Sequence, residues 1–121
     1  MNNKLDSNEI EKMVCDMFML QRIDRDIDAI DNFGNLYEIK ACRPYIIDKS
    51  HKNKRRSGRF WFSDKDFDNP YKTFIFVVYD IENNAINIKQ IFIYNSNIFF
   101  RTYGKKRLIT WKKVAGLTWQ S

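Results

Sequence analysis

At 121 residues the chain has room for one domain with its own core and little more, and 44% hydrophobic content with 19 aromatic residues is enough to fill that core. Its longest apolar run, Phe74 to Tyr79, falls far short of the roughly 20 residues needed to cross a bilayer. One His and two Cys set 27 positions apart are too few for a structural zinc site.

The net charge of +6 is unevenly spread. Residues 1–40 hold nine acidic and five basic groups, 41–60 one and seven, 61–100 five and three, and 101–121 none and six. Basic surface around a local acidic cluster suits a protein that grips a polyanion by its phosphates and holds a cation at one point. The first residues, MNNKLDSNEIEK, show neither a basic leader nor an apolar stretch, so the cytoplasm is expected, with Cys15 and Cys42 as free thiols.

In chain order, Asp6 or Ser7 is expected to cap a helix running to about Leu20, with Ile10, Met13, Val14, Met17 and Leu20 as its apolar stripe. Two strands follow, about Arg22–Ile30 and Asn35–Ala41, joined by Asn32-Phe33-Gly34 with the glycine left-handed. That loop sets the register: Asp28 lies across from Glu38, and Asp26 across from Lys40. Asp24, Asp26, Asp28, Glu38 and Lys40 then share one face, while Ile27, Ala29, Tyr37 and Ile39 bury against the helix.

The polar stretch 43–59 reads as a loop. After Phe60-Trp61-Phe62, a capping box from Ser63 to Asp66 opens a brief helix that ends before Asn69-Pro70. Lys72–Tyr79 and Ala85–Tyr94 are two more strands turning at Glu82-Asn83-Asn84. No element is assigned between Asn95 and Thr110, which caps a short helix from Trp111 to Val114 that Gly116 ends. The expected fold is a single α/β domain over residues 1–121, with a mixed sheet of four or five strands, an N-terminal helix and short flanking helices.

The acidic hairpin carries the chemistry. Like charges facing one another in a sheet repel unless something positive neutralises them, and Mg²⁺ takes carboxylate, water and phosphate oxygens in an octahedron. Asp28 and Glu38 supply the carboxylates and the Ile39 backbone carbonyl a third oxygen. Asp26 is the alternative to Asp28. Lys40, on the same face, is placed to hold the attacking water or stabilise charge on a scissile phosphate. The plain alternative is a solvated acidic face with Lys40 as a salt-bridge partner. His51, in the basic stretch, reads as a phosphate contact or a residue without a role rather than a general base.

An Asp, a short hairpin and then Glu-x-Lys, here Asp28 followed by Glu38-Ile39-Lys40, resembles the PD-(D/E)xK nuclease superfamily, which includes restriction endonucleases and Holliday-junction resolvases. The resemblance covers roughly residues 7–63 and rests on a short, degenerate motif; Ile27 stands where the family has Pro. It implies a restriction-endonuclease-like domain that hydrolyses DNA phosphodiesters with Mg²⁺, or Mn²⁺ in its place. Asp28, Glu38 and Lys40 would be catalytic, Glu11 a helical helper with Glu9 as alternative, and a homodimer the assembly for cutting both strands. Arg43, Lys52, Lys54, Arg55, Arg56 and Arg59 would bind phosphates. Its rivals are a metal-free nucleic-acid-binding module of the same fold, an RNA-directed nuclease using Phe60, Trp61 and Phe62 as stacking platforms, and a domain whose basic stretch meets an acidic protein.

Overall fold

The computed structural model describes residues 3–23, 27–68 and 71–117. Helix α1 spans Asn3–Phe18, starting earlier than the expected cap, so that Asp6 lies buried in its first turns and accepts a hydrogen bond from the Tyr79 hydroxyl at 3.4 Å. Of its expected apolar stripe only Ile10 and Val14 are buried, with Cys15 beside them; Met17 is 56% exposed. The helix stops at Phe18 because Met19 turns left-handed (φ 57°) and the Leu20 N–H reaches back to the Cys15 carbonyl at 2.8 Å, a C-terminal cap made without glycine.

The expected strand Arg22–Ile30 is two short ones: β1, Gln21–Arg22, pairs antiparallel with β2, Ala29–Ile30. Strand β3, Leu36–Cys42, pairs with β2 in the expected register, Ala29 with Tyr37 and Ile30 with Leu36. The turn between them is as expected: Gly34 has φ 85°, the Asp31 N–H meets the Asn35 carbonyl at 3.0 Å, and the Asp31 carboxylate accepts from the Phe33 and Asn35 N–H groups.

The stretch 43–59, expected as a loop, is mostly a ribbon. Strands β4, Tyr45–Asp48, and β5, Lys54–Ser57, form a two-stranded sheet of their own, joined by a single 3₁₀ turn and by Lys52 and Asn53, both left-handed. Tight turning at those residues, rather than hydrophobic patterning, makes the hairpin, which is why composition alone read as loop. Strand β6, Arg59–Trp61, follows, then helix α2, Asp64–Asp68, opened by the expected capping box: the Ser63 N–H donates to Asp66 Oδ2 at 2.7 Å.

Strands β7, Thr73–Glu82, and β8, Ala85–Asn95, make a long hairpin turning on left-handed Asn83 and Asn84. The segment without an assignment contains helix α3, Ser96–Tyr103, capped by the Asn95 side chain, which accepts from the Asn97 and Ile98 N–H groups. Strand β9, Leu108–Thr110, pairs with β6, and helix α4 runs Trp111–Leu117. Gly116 lies within α4 rather than ending it, because buried Val114 and Leu117 carry the helix across a residue that costs it about 1 kcal/mol.

The main sheet has five strands in the order β1-β2-β3-β7-β8, mixed because β3 and β7 run parallel while the other pairs are antiparallel. Both faces of β7 are covered, as its continuous apolar run requires. Ile75, Val77 and Tyr79 pack with Ile39, Ala29 and α1 on one side. Phe74, Phe76 and Val78 pack on the other with Phe60, Phe62, Phe99, Ile109 and Val114. Phe74, Phe76 and Phe99 are fully buried, each contributing on the order of 1.5–3 kcal/mol of burial free energy. Among the described residues no helix is long and apolar enough to cross a membrane.

Candidate active site

The site forms where β2 stops and β3 continues. Past Ala29 the backbone of β2 leaves the ladder, and the Asp28 side chain takes its place: Asp28 Oδ2 accepts the Ile39 N–H at 2.8 Å. N–H and C=O of one strand residue face the same neighbour, so the Ile39 carbonyl also turns toward this edge. The Glu38 carboxyl lies beside that of Asp28. Burial, then the neighbouring Asp28 charge, push the Glu38 pKa up to about 8 against the pull of Lys40 and Lys72. Without a cation the pair therefore holds a proton at neutral pH. Glu38 Oε2 is buried with no hydrogen-bond partner among the described residues.

Far from a solvated acidic face, the Glu38 side chain is 12% exposed and that of Lys40 18%. Lys40 Nζ lies 2.8 Å from Asp66 Oδ2 and 5.5 Å from the centre of the Phe62 ring. Lys72, 1% exposed, sits 3.1 Å from Asp66 Oδ1 and 3.8 Å from Glu38 Oε2. Burial acts to raise the Asp66 pKa, but hydrogen bonds from Lys40, the Ser63 N–H and Lys72 outweigh it and hold the carboxyl below the usual range.

Asp66 and Lys72 are what the sequence reading missed. Asp66 was visible as the closing residue of the capping box, which explained it locally. Lys72 was visible only as the first residue of a strand, where a lysine ordinarily reaches solvent; its burial against Asp66 and Glu38 comes from packing.

Other expected site residues are placed elsewhere. Glu11 is paired with Arg22 at 2.9 Å, and among the described residues no three His, Cys, Asp or Glu side chains converge as a metal-binding group. Glu9 is exposed. Asp26, the alternative ligand, and Asp24 lie outside the described residues, as does the His51 side chain. Arg43 pairs with Asp80. Arg59 is half-buried in β6, beside Arg43, Ile46 and Trp61 in a cleft of about 250 Å³. Lys52, Lys54, Arg55 and Arg56 are exposed on the ribbon. Phe60 and Phe62 belong to the core, leaving Trp61, 65% exposed, as the only one of the three aromatics open to a base.

The donor set is compatible with a divalent cation. Asp66 is matched by Lys40 and Lys72, and Lys72 also lies 3.8 Å from Glu38; with these groups and Asp28 all ionised, three negative charges meet two positive ones and one is left over. Two carboxylates and a strand carbonyl are the hard oxygen donors that Mg²⁺ accepts, with water and phosphate completing the shell. Comparison with known proteins adds no further constraint: no protein-family model, curated protein or solved structure matches the chain.

Proposed function

We propose that the protein is a metal-dependent endonuclease that hydrolyses DNA phosphodiester bonds. The observation that carries this reading is the half-buried Asp28–Glu38 pair, one oxygen unpartnered, next to a lysine held in place by a third carboxylate. Asp28, Glu38 and the Ile39 carbonyl would hold Mg²⁺, with Mn²⁺ able to substitute. The chemistry such a cation would supply is polarisation of a phosphate and easier ionisation of water.

The chain's own groups do the rest. To hold a cation, Glu38 would release its proton to solvent. Asp66 fixes the Lys40 ammonium on the same face of β3, where it can stabilise charge that develops on a phosphate oxygen. Lys72 offsets part of the local negative charge in either state. The basic residues Arg43, Lys52, Lys54, Arg55, Arg56 and Arg59 would bind phosphates and so position the strand. Cutting both strands calls for two such sites, hence a homodimer. Two buried free cysteines, with burial pushing the Cys42 thiol up to about 12, accord with a reducing cytoplasm.

Incubation with supercoiled, linear and four-way-junction DNA, with Mg²⁺, with Mn²⁺ and with chelator, tests the proposal. Cleavage confined to the metal-containing reactions, and lost in Glu38→Ala, is expected. One observation favours a second reading, a binding module without chemistry: Lys72 already lies 3.8 Å from Glu38 Oε2 and supplies positive charge there. Tight DNA binding without cleavage under every metal condition would decide for it.

A further inference from the structure

The two basic blocks, separated by some forty residues of near-neutral sequence, meet in space. Pairing of β6 with β9 brings the first turn of α4 against the base of the ribbon, where the Trp111 N–H donates to the Gly58 carbonyl at 3.1 Å and Trp111 Nε1 to the Pro44 carbonyl at 2.8 Å. Gly58 is required at this junction, since a Cβ there would lie 1.7 Å from the Arg43 carbonyl oxygen. The junction fixes the ribbon's base relative to α4.

The consequence is seen at Tyr45. Ribbon pairing of Tyr45 with Ser57 and Ile47 with Arg55 sets Tyr45, Ile47, Arg55 and Ser57 on one face. The Arg55 guanidinium lies 3.7 Å from the centre of the Tyr45 ring, and Lys112 Nζ, from the other block, lies 5.6 Å from it. Tyr45 is 41% exposed and Ile47 59%. Several exposed cations have carboxylate partners: Arg22 has Glu11, Arg43 has Asp80, Lys89 has Glu82 and Arg107 has Asp64. Among the described residues Arg55 and Lys112 have none and share an aromatic ring instead.

We propose that this face of the ribbon and the first turn of α4 are a docking surface for duplex DNA, separate from the carboxylate pair. Arg55 and Lys112 contact phosphates from either side of Tyr45. The ribbon lies in the major groove, which is wide enough for two antiparallel strands and where Ile47 can meet a thymine methyl. Charge complementarity selects the occupant: exposed cations without counter-charges bind a polyanion by releasing its condensed counterions. The proposal rests on the nuclease reading only in taking DNA as the substrate, and its test involves no cleavage.

The test is fluorescence anisotropy of a labelled duplex with the full chain, in chelator, across a KCl series. Arg55→Gln and Lys112→Gln should each make the log–log salt dependence shallower by about 0.9, and the double substitution by about 1.8. Ile47→Ser should weaken duplex binding without altering the slope. Thermal melts confirm that each variant is folded. An unchanged slope in the folded double variant overturns the proposal, as does single-stranded DNA binding with the same slope and affinity. Equal, Arg55- and Lys112-dependent binding of polyglutamate overturns the assignment to DNA in favour of an acidic protein. A chain that behaves as expected here yet cuts no DNA disproves the nuclease reading alone; one that cuts DNA but ignores these substitutions disproves the docking surface alone.

Discussion

The acidic hairpin β2–β3 and the basic ribbon β4–β5 are neighbours in sequence and opposites in physics. At the hairpin, charged groups are at least half-buried and held by several partners at once: Asp66 of α2 takes hydrogen bonds from Lys40, Lys72 and Ser63, and Asp28 replaces a missing ladder bond. In the ribbon Lys54, Arg55 and Arg56 are exposed, and what is fixed is the base at Gly58 and Trp111. Groups held rigidly in a low-dielectric setting suit chemistry, whereas mobile exposed cations suit a ligand whose charge repeats along its length. Substitutions in the two regions should therefore affect different observables.

The largest effect is expected at Glu38. Glu38→Ala removes one of two carboxylates, and cleavage should fall by roughly three orders of magnitude or more, the scale of losing a principal catalytic group, while duplex affinity stays close to the parent's. Asp28→Asn should come next. The amide keeps an acceptor for the Ile39 N–H but loses the charge, so the fold survives and the cation does not bind. Metal-dependent activity retained in either variant would move the chemistry away from this hairpin, and greater damage from Asp26→Asn than from Asp28→Asn would hand the ligand role to Asp26.

Asp66 tests whether the site is held as tightly as its contacts imply. Asp66→Ala leaves Lys72 fully buried with only Glu38 near it, and removing one partner of a buried pair costs about 3–5 kcal/mol. Urea denaturation should show most of that loss. A much smaller loss would mean that Lys72 swings out to water or sheds its proton.

How much of this was legible follows the range of the interactions. The Gly34 turn and the register it sets are local, so the facing of Asp28 and Glu38 could be read directly, as could the Asn83-Asn84 turn and the Ser63–Asp66 box. The ribbon was hidden because Lys52 and Asn53 turn left-handed without a glycine to announce it. Helix α3 was hidden because Asn95 reads as the end of a strand before it reads as a cap. Lys72 and Asp66 belong to the site through packing between the start of β7 and α2, a long-range fact that no spacing in the hairpin encodes.

Proton linkage gives a smaller, graded effect on the same pair. The Glu38 pKa rises from 4.5 to about 8 on folding, so without metal the folded state binds the extra proton. The stability this confers is fully present below about pH 4.5 and is lost as pH rises toward and through 8. Glu38→Gln, which fixes the neutral form, should flatten that decline and melt above the parent at alkaline pH, by an amount on the order of 1–3 kcal/mol for relieving a buried charge. Parallel melting curves for parent and variant across this range would show that Glu38 is ionised without cost. Because cation and proton compete for one carboxylate, metal affinity should also weaken as pH falls below 8.

The smallest expected effect on the fold lies in the ribbon, and its smallness is what the comparison requires. Arg55 and Arg56 are exposed on β5, away from both cores, so Arg55→Gln with Arg56→Gln should change stability by no more than about 0.5 kcal/mol. Turnover at saturating DNA should change little, since Asp28, Glu38 and Lys40 are untouched. Duplex affinity should nevertheless fall, and its log–log salt slope should lose about 2 if both side chains meet phosphates of B-form DNA. An unchanged slope would leave the ribbon a solvated surface and shift the DNA path to Arg101, Lys105, Lys106 and Arg107. A large loss of turnover with the slope intact would instead mean that the ribbon positions the scissile phosphate, joining chemistry and gripping in one place.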